Sequence, residues 1–448
     1  MENWTGKKII IIGLAREGKA LAQFAAAEGA HVVVSDARPR DRLLASLMEL
    51  DGLDIDFVLG EHPMTLLDEA DVLVLSPGVP ADMPLAEAAR ARGICVTNEP
   101  QEFLRRTPTA VIGITGSAGK TTTTSLTGHM GRVAGRNSWV GGNIGRPLIG
   151  DLPQMQPGDF VVQELSSFQL ELWTRSPAIA AILNITPNHL DRHRTMTAYI
   201  NAKANILRYQ AANDVAVLSA DDPGCGSVRG LVRGRLRLFS AQQPVDDGAF
   251  VRDGHIWLRD GERETAVCPL NNIQLRGGHN ILNVLAATTL ADAAGIPVAA
   301  MAEAIHTFHG VAHRLELVRQ LNGAHYINDS IATAPERALA ALNAFTEPIV
   351  LLAGGRDKDM QWETWAQVVP QRTKQVILFG QLGEMLEGLL DSPVVRVNTL
   401  AEAVGVAAKT AVSGDIVLLS PGGTSYDAYN DFVERGEHFR ALVQALLP

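Results

Sequence analysis

In this chain an apolar run over residues 110–114 leads into Gly113-Ile-Thr-Gly-Ser-Ala-Gly-Lys120-Thr121, and a helix-like stretch follows directly. A strand that turns through glycines into a helix is a unit of α/β architecture, and it restricts the surrounding chain to sheets covered by helices. The same turn aims several backbone N–H groups at one point, which suits phosphate. Glycines adopt conformations that a β-carbon excludes, Lys120 reaches toward β and γ phosphates, and the Thr121 hydroxyl suits Mg²⁺. Gly116, Ser117, Ala118, Gly119, Lys120, Thr121 and Thr122 are therefore the candidate cradle for a nucleoside triphosphate. The spacing departs from G-x-x-x-x-G-K-[ST], which asks for glycine at position 114, where this chain has Ile114 with Gly113 and Gly116 beside it. From this segment alone a glycine-rich turn without a ligand stays the alternative.

At 448 residues the chain exceeds the size at which single cores stop growing, so about two to three domains are expected. Its net charge of −10, from 39 basic and 49 acidic side chains, argues against nonspecific binding to nucleic acid or anionic membranes, and no membrane insertion is expected. Phosphate binding must come from local geometry. Cys95, Cys225 and Cys268 are too widely spaced for a disulfide framework or a zinc pattern, which fits a reducing cytoplasm. The apolar run 9–12 is too short for a signal-peptide core and reads as a first strand.

That strand, the turn Gly13-Leu-Ala-Arg-Glu-Gly18, an alanine-rich helix and a strand ending in Asp36 make a Rossmann-like half. Further strands at 72–75 and 94–96 extend a parallel sheet, so the first domain is taken as residues 1–98. A second α/β domain, 99–310, has strands at 110–114, 160–163, 179–183 and 215–218, a loop over 243–248, and closes with a helix at 280–294 and a polar connection around 306–310. A third, 311–448, alternates strands at 326–327, 349–352, 376–379 and 416–419 with helices at 336–344 and 401–410.

Polar side chains recur where strands end, the place open α/β sheets hold ligands. Glu164 closes one strand and is a candidate Mg²⁺ ligand or a paired glutamate. His189 lies in the polar loop Asn184-Ile-Thr-Pro-Asn-His189-Leu-Asp191-Arg-His193, which lacks a zinc-protease spacing. Lys203 falls in a helix over 196–209, where pattern alone reads it as an exposed lysine.

In order along the chain, Thr115-Gly-Ser-Ala-Gly-Lys120-Thr-Thr, Gly141-Gly-Asn143-Ile-Gly145, Glu164-Leu-Ser-Ser-Phe-Gln-Leu-Glu171, Asn188-His189-Leu-Asp191-Arg-His193, Gly278-His279-Asn280-Ile-Leu-Asn283, His313-Arg314 and Asn328-Asp329-Ser330 resemble the Mur ligases. The resemblance covers essentially the whole chain. It implies three domains: an N-terminal Rossmann-like domain holding UDP, a central ATPase domain, and a C-terminal Rossmann-like domain for the incoming amino acid. It further implies ATP-dependent addition of glutamate to UDP-N-acetylmuramoyl-L-alanine through an acyl phosphate, with two Mg²⁺ ions and a monomeric enzyme. By this resemblance Thr121, Glu164, His189 and a carbamylated Lys203 hold metal, and Lys120 shares the catalytic work with the last three. Asn280, Asn283, Arg314 and Asp329 would contact ATP; Leu14, Ala15, Asp36, Ser76, Gly78 and Asn143 would contact the UDP substrate. Thr333, Lys358, Ser425 and Phe432 would surround glutamate, and ligand contacts on different domains imply domain closure.

One departure concerns the amino acid. Many D-glutamate-adding members have lysine in Asn-Asp-Ser-Lys-Ala-Thr, whereas this chain has Ile331. An L-glutamate-adding subgroup also carries isoleucine there and a Ser-Pro-Gly-x-x-Ser segment like 420–425, so the enantiomer stays open, with D-glutamate preferred. A folylpolyglutamate synthetase fits poorly because that group begins with its ATPase domain. A nucleotide-gated binding protein would leave Glu164, His189 and Lys203 without a shared purpose. An NAD-dependent dehydrogenase rests only on the first glycine turn and Asp36, without G-x-G-x-x-G.

Overall fold

The computed structural model describes residues 3–275, 277–358 and 360–447. They form three sheets in two compact units, Met1–Ile273 with Gly278–Phe308 and Gln274–Gly277 with His309–Pro448.

The first sheet is parallel, in the order Ile55–Leu59, His31–Asp36, Lys8–Ile12, Val72–Leu75, Cys95–Thr97. After Lys8 its central strand is a run of isoleucines, and both faces are covered by apolar side chains. Helix Arg16–Ala27 starts after the short turn that follows this strand. Gly18 is required there: a β-carbon would collide with the Gly13 carbonyl, so the helix sits tightly over the turn.

Helix Glu99–Arg106, capped by the Asn98 side chain on the Gln101 amide, leads to the second sheet. Its order is Arg263–Pro269, His255–Asp260, Gly248–Arg252, Arg235–Ser240, Val215–Ser219, Ile179–Ile182, Val111–Thr115, Phe160–Glu164, Ser138–Gly142. All neighbours pair in parallel except the antiparallel pairs made by His255–Asp260 with the strands on either side. Val111–Thr115 lies between Ile179–Ile182 and Phe160–Glu164, so three strand ends meet at one edge. Helix Lys120–Val133 packs against that strand Phe160–Glu164 and against helices Gly278–Ala293 and Val298–Thr307.

Two expectations change. His306 belongs to the last turn of helix Val298–Thr307, whose face Met301, Ala304 and Ile305 is buried, and not to a connection. The loop expected through residue 248 ends sooner, because Gly248 already pairs with Leu238 as the first residue of a strand.

In the second unit the order is Glu316–Leu321, Ala324–Asn328, Ile416–Gly422, Ile349–Gly354, Gln375–Phe379, Val395–Arg396. Only the first pair is antiparallel. Apolar layers cover both faces of this sheet. No helix among the described residues is long and apolar enough to cross a membrane.

Candidate active site

Gly119 takes φ +82°, a left-handed conformation, and opens helix Lys120–Val133. A β-carbon at Gly119 would collide with the Asn283 amide, so two halves of the site meet at a position only glycine fits. Asn283 in turn donates to Asn280 Oδ1 at 2.9 Å. The loop is shaped from below by Asn184, whose Oδ1 accepts from the Ala118 amide at 2.8 Å and whose carbonyl accepts from the Ser117 amide at 3.0 Å. The amides of the first helical turn have no partner inside the helix, and together with the helix dipole they favour an anion.

Lys120 Nζ donates to the carbonyls of Gly116 and Ser117 at 2.8 and 3.3 Å. Lys203 Nζ donates to the same Gly116 carbonyl at 3.0 Å and lies 3.4 Å from Thr115 Oγ1. Lys203 is not the exposed helical lysine of the pattern-based alternative but only 1% exposed. Helix Met196–Arg208 buries the face containing Tyr199, Ala202, Lys203 and Ile206. Burial, and then the charge of Lys120, hold the Lys203 amine well below the usual lysine range. A neutral amine is the form that adds carbon dioxide.

Glu164 ends its strand 2% exposed. Oε1 accepts from Asn143 Nδ2 at 2.7 Å, while Oε2 is buried without a hydrogen-bond partner. An orphaned buried carboxylate oxygen beside the phosphate loop is the donor a hard cation takes. Gly142 permits the approach of the Asn143 segment, since a β-carbon there would lie 2.5 Å from the Glu164 carbonyl. Among the described residues no three His, Cys, Asp or Glu side chains group closely enough to hold a metal by themselves. A cation here would draw on the Thr121 hydroxyl and on phosphate oxygens as well as on Glu164.

His189 has φ +54°, unusual for a residue with a β-carbon. Its ring meets Phe168 edge-on with centroids 5.0 Å apart. Burial, and then Lys120, lower its pKa, which leaves a neutral imidazole able to bind metal. Nearby, Arg192 lies 4.1 Å over the Phe168 ring and donates to the carbonyls of Pro77 and Val79 in the first sheet's loop at 2.6 and 3.0 Å.

In that first sheet Leu14 is buried and Ala15 exposed at the start of the turn, and Gly78 is exposed. Ser76 Oγ donates to the Gly13 carbonyl at 3.0 Å. Asp36 is engaged within the protein: Oδ2 accepts from the Leu14 amide at 2.8 Å, and both oxygens accept from the Arg38 fork. Burial would raise its pKa, but the Arg38 fork and the two amides override burial and bring it to about 2. Asp36 thus fixes the turn that presents Leu14 and Ala15.

Asn280 and Asn283 belong to the first unit, Arg314 and Asp329 to the second. Burial pushes Asp329 up to about 7, and its oxygens accept from Ser420 Oγ and the Leu315 amide at 3.0 and 3.2 Å. Thr333 and Phe432 are half-buried, Ser425 is buried and Lys358 exposed, all in the second unit. Two participants escaped the sequence reading. Tyr199, whose hydroxyl lies 2.9 Å from Ser117 Oγ, stands one helical turn before Lys203, and that i, i+4 spacing was the available signal. Arg16 donates to the Gly145 and Asn143 carbonyls at 2.6 and 3.0 Å; it stood in the turn 13–18 with no role assigned to it.

Three family models match in chain order: the Mur ligase MurD-like N-terminal domain over residues 7–98, the Mur ligase middle domain over 114–291 and the Mur ligase glutamate ligase domain over 313–423. A relative from Symbiobacterium thermophilum, named UDP-N-acetylmuramoylalanine--D-glutamate ligase, is 43% identical over 98% of each chain. The chain belongs to the Mur ligase family. Relatives of the same name from Pelotomaculum thermopropionicum and Acetivibrio thermocellus are 39% and 37% identical to this Mur ligase; the first covers 100% of this chain and 99% of its own, the second 98% and 97%. Its three-domain α/β fold is shared with UDP-N-acetylmuramate-alanine ligase MurC from Thermotoga maritima, at a TM-score of 0.57 and 22% identity over 98% of this chain and 99% of the other. A pseudomurein peptide ligase type C from Methanothermus fervidus gives 0.53 at 18% identity, covering 98% and 99%.

Proposed function

We propose that this Mur ligase joins D-glutamate to UDP-N-acetylmuramoyl-L-alanine with cleavage of ATP, a step in building peptidoglycan precursors. The observation that carries the chemistry is the meeting, at one sheet edge, of a helix-opening phosphate loop with the orphaned Glu164 oxygen and the desolvated Lys203 amine. The enantiomer is taken from the relatives named above.

In this reading the first-turn amides and Lys120 receive the γ-phosphate and offset the charge that builds as the muramoyl-alanine carboxylate attacks phosphorus. ADP departs, and the glutamate amine attacks the acyl phosphate. The tetrahedral intermediate then collapses, expelling inorganic phosphate and leaving an amide. Mg²⁺, when bound, screens the approach of two anions and spreads charge away from the transferring group. Thr121 and Glu164 would hold one ion. His189 and Lys203, as its carbamate, would hold a second near the substrate carboxylate. Leu14, Ala15, Ser76, Gly78 and Asn143 line the UDP-substrate side; Thr333, Lys358, Ser425 and Phe432 receive glutamate. The enzyme acts as a monomer in the cytoplasm.

The test is phosphate release with ATP, Mg²⁺ and UDP-N-acetylmuramoyl-L-alanine, offering D- and L-glutamate separately and weighing the product. Turnover with D-glutamate alone is expected. Turnover with L-glutamate alone would assign the Ile331 type of specificity, and phosphate release without an amide product would overturn the ligase reading.

A further inference from the structure

His193 closes the one-turn helix Leu190–His193 and is buried, 6% exposed. Its Nδ1 lies 3.1 Å from Glu171 Oε1 and its Nε2 lies 2.9 Å from Ser167 Oγ. Burial, and then the charge of Arg192, lower the pKa of this imidazole, so it is neutral at pH 7. The tautomer that satisfies both partners carries its proton on Nδ1, donates to Glu171 and accepts from the Ser167 hydroxyl at Nε2. Carboxylate, imidazole and hydroxyl stand in the order of a hydrolase triad, but Ser167 is only 3% exposed, so the row holds structure and attacks no substrate.

What it holds is the loop that bears His189. The backbone is left-handed at both ends of this short helix, with φ +54° at His189 and +64° at Arg194, neither of them glycine. Such conformations persist only where the surroundings fix them. Asp191, Arg192, His193 and Arg194 border a cavity of about 580 Å³, so the loop faces open space there and depends on its remaining contacts. Among those contacts, the His193 ring stacks on Phe168, with centroids 5.1 Å and planes 10° apart, and meets Tyr199 edge-on at 5.1 Å. Phe168 is also the ring that His189 meets edge-on. The His193 amide donates to the His189 carbonyl at 3.0 Å. His193 therefore reaches the imidazole assigned above to metal by two routes, through the Phe168 ring and through the backbone.

We propose that His193 is a positioning residue for His189, an anchor that pins the strained loop to Ser167, Phe168 and Glu171 and so aims the His189 imidazole at a divalent cation. The inference rests on the metal reading of His189. The experiment compares the unmodified enzyme with His193→Phe, which keeps a ring and loses both hydrogen bonds, His193→Gln, which can restore one of them, Ser167→Ala and His189→Ala. Mn²⁺ binding is followed by electron paramagnetic resonance with a non-hydrolysable ATP analogue and UDP-N-acetylmuramoyl-L-alanine present. The Mg²⁺ concentration for half-maximal turnover, KM for each substrate and thermal stability are measured alongside. His193→Phe is expected to weaken Mn²⁺ binding and to raise the half-maximal Mg²⁺ concentration at least about tenfold, with KM for ATP and for glutamate within about twofold. His193→Gln is expected to recover part of the loss, and Ser167→Ala to weaken Mn²⁺ binding severalfold. Lower thermal stability with unchanged Mn²⁺ binding and Mg²⁺ requirement would overturn the proposal and leave His193 a packing residue; if His193→Phe does not fold, His193→Gln and Ser167→Ala decide by the same criterion. Unchanged Mn²⁺ binding in His189→Ala would instead defeat the metal reading of His189 itself, and the positioning role with it.

Discussion

Among the described residues, an ammonium at Lys203 would have only the Gly116 carbonyl, the Thr115 hydroxyl and the Tyr199 ring face, 4.8 Å away, to replace water. Its folded-state pKa is lowered, so between that value and the unfolded value near 10.5 the unfolded chain holds more protons, and stability rises with pH. Lys203→Met is therefore expected to stabilise the ligand-free protein at pH 7 by about 1–2 kcal/mol, an advantage that shrinks toward pH 10 in urea titrations. The same change would remove the proposed carbamate and should lower kcat at least about a hundredfold. A labelled-carbon NMR signal from ¹³CO₂ on the unmodified protein, absent in Lys203→Met, checks the modification directly. At Gly119 the constraint is steric as well as conformational, so Gly119→Ala should abolish ATP binding in calorimetry while leaving binding of the UDP substrate within about threefold. Neither the burial of Lys203 nor the orphaned Glu164 oxygen was legible in the sequence, because both depend on which neighbours arrive from distant segments.

Helix Arg16–Ala27 and helix Glu99–Arg106 begin with carboxylates that meet in the interior of the first unit. Glu17 Oε1 accepts from Gln169 Nε2 at 2.7 Å, and Glu99 Oε1 accepts from the Ile149 amide at 3.0 Å. Burial drives Glu17 up to about 7 against the opposing Gln169 hydrogen bond, and burial followed by the Glu17 charge drives Glu99 upward. With a raised folded pKa, Glu17 contributes stability that is complete below its unfolded value near 4.5 and is lost as pH rises through about 7. Glu17→Gln, which mimics the protonated acid, should flatten the pH dependence of Tm between those values and stabilise the protein at pH 8 by on the order of 2–3 kcal/mol. The elements most readable in advance were those buried on both faces, such as Lys8–Ile12 and Val72–Leu75, where continuous apolar runs leave little choice. Ile55–Leu59 and Arg235–Ser240 escaped because Asp56, Arg235 and Arg237 interrupt them. Ser138–Gly142 escaped because two of its five residues are glycines.

Each unit has its own apolar core, so unfolding is expected to resolve into two steps. Phe439, fully buried in the second unit, makes this testable: Phe439→Ala should lower one transition by about 3–5 kcal/mol and leave the other in place in a urea titration followed by circular dichroism. The first unit is not continuous along the chain. Helix Gly278–Ala293 returns to pack on helix Lys120–Val133 only after the strands running to Pro269 have been laid down. A polypeptide emerging from the ribosome can pair the whole first sheet once Thr97 is out, yet it must wait for Asn283 before the pocket around Gly119 closes. The order of synthesis therefore delivers the first sheet early and the pocket around the phosphate loop late.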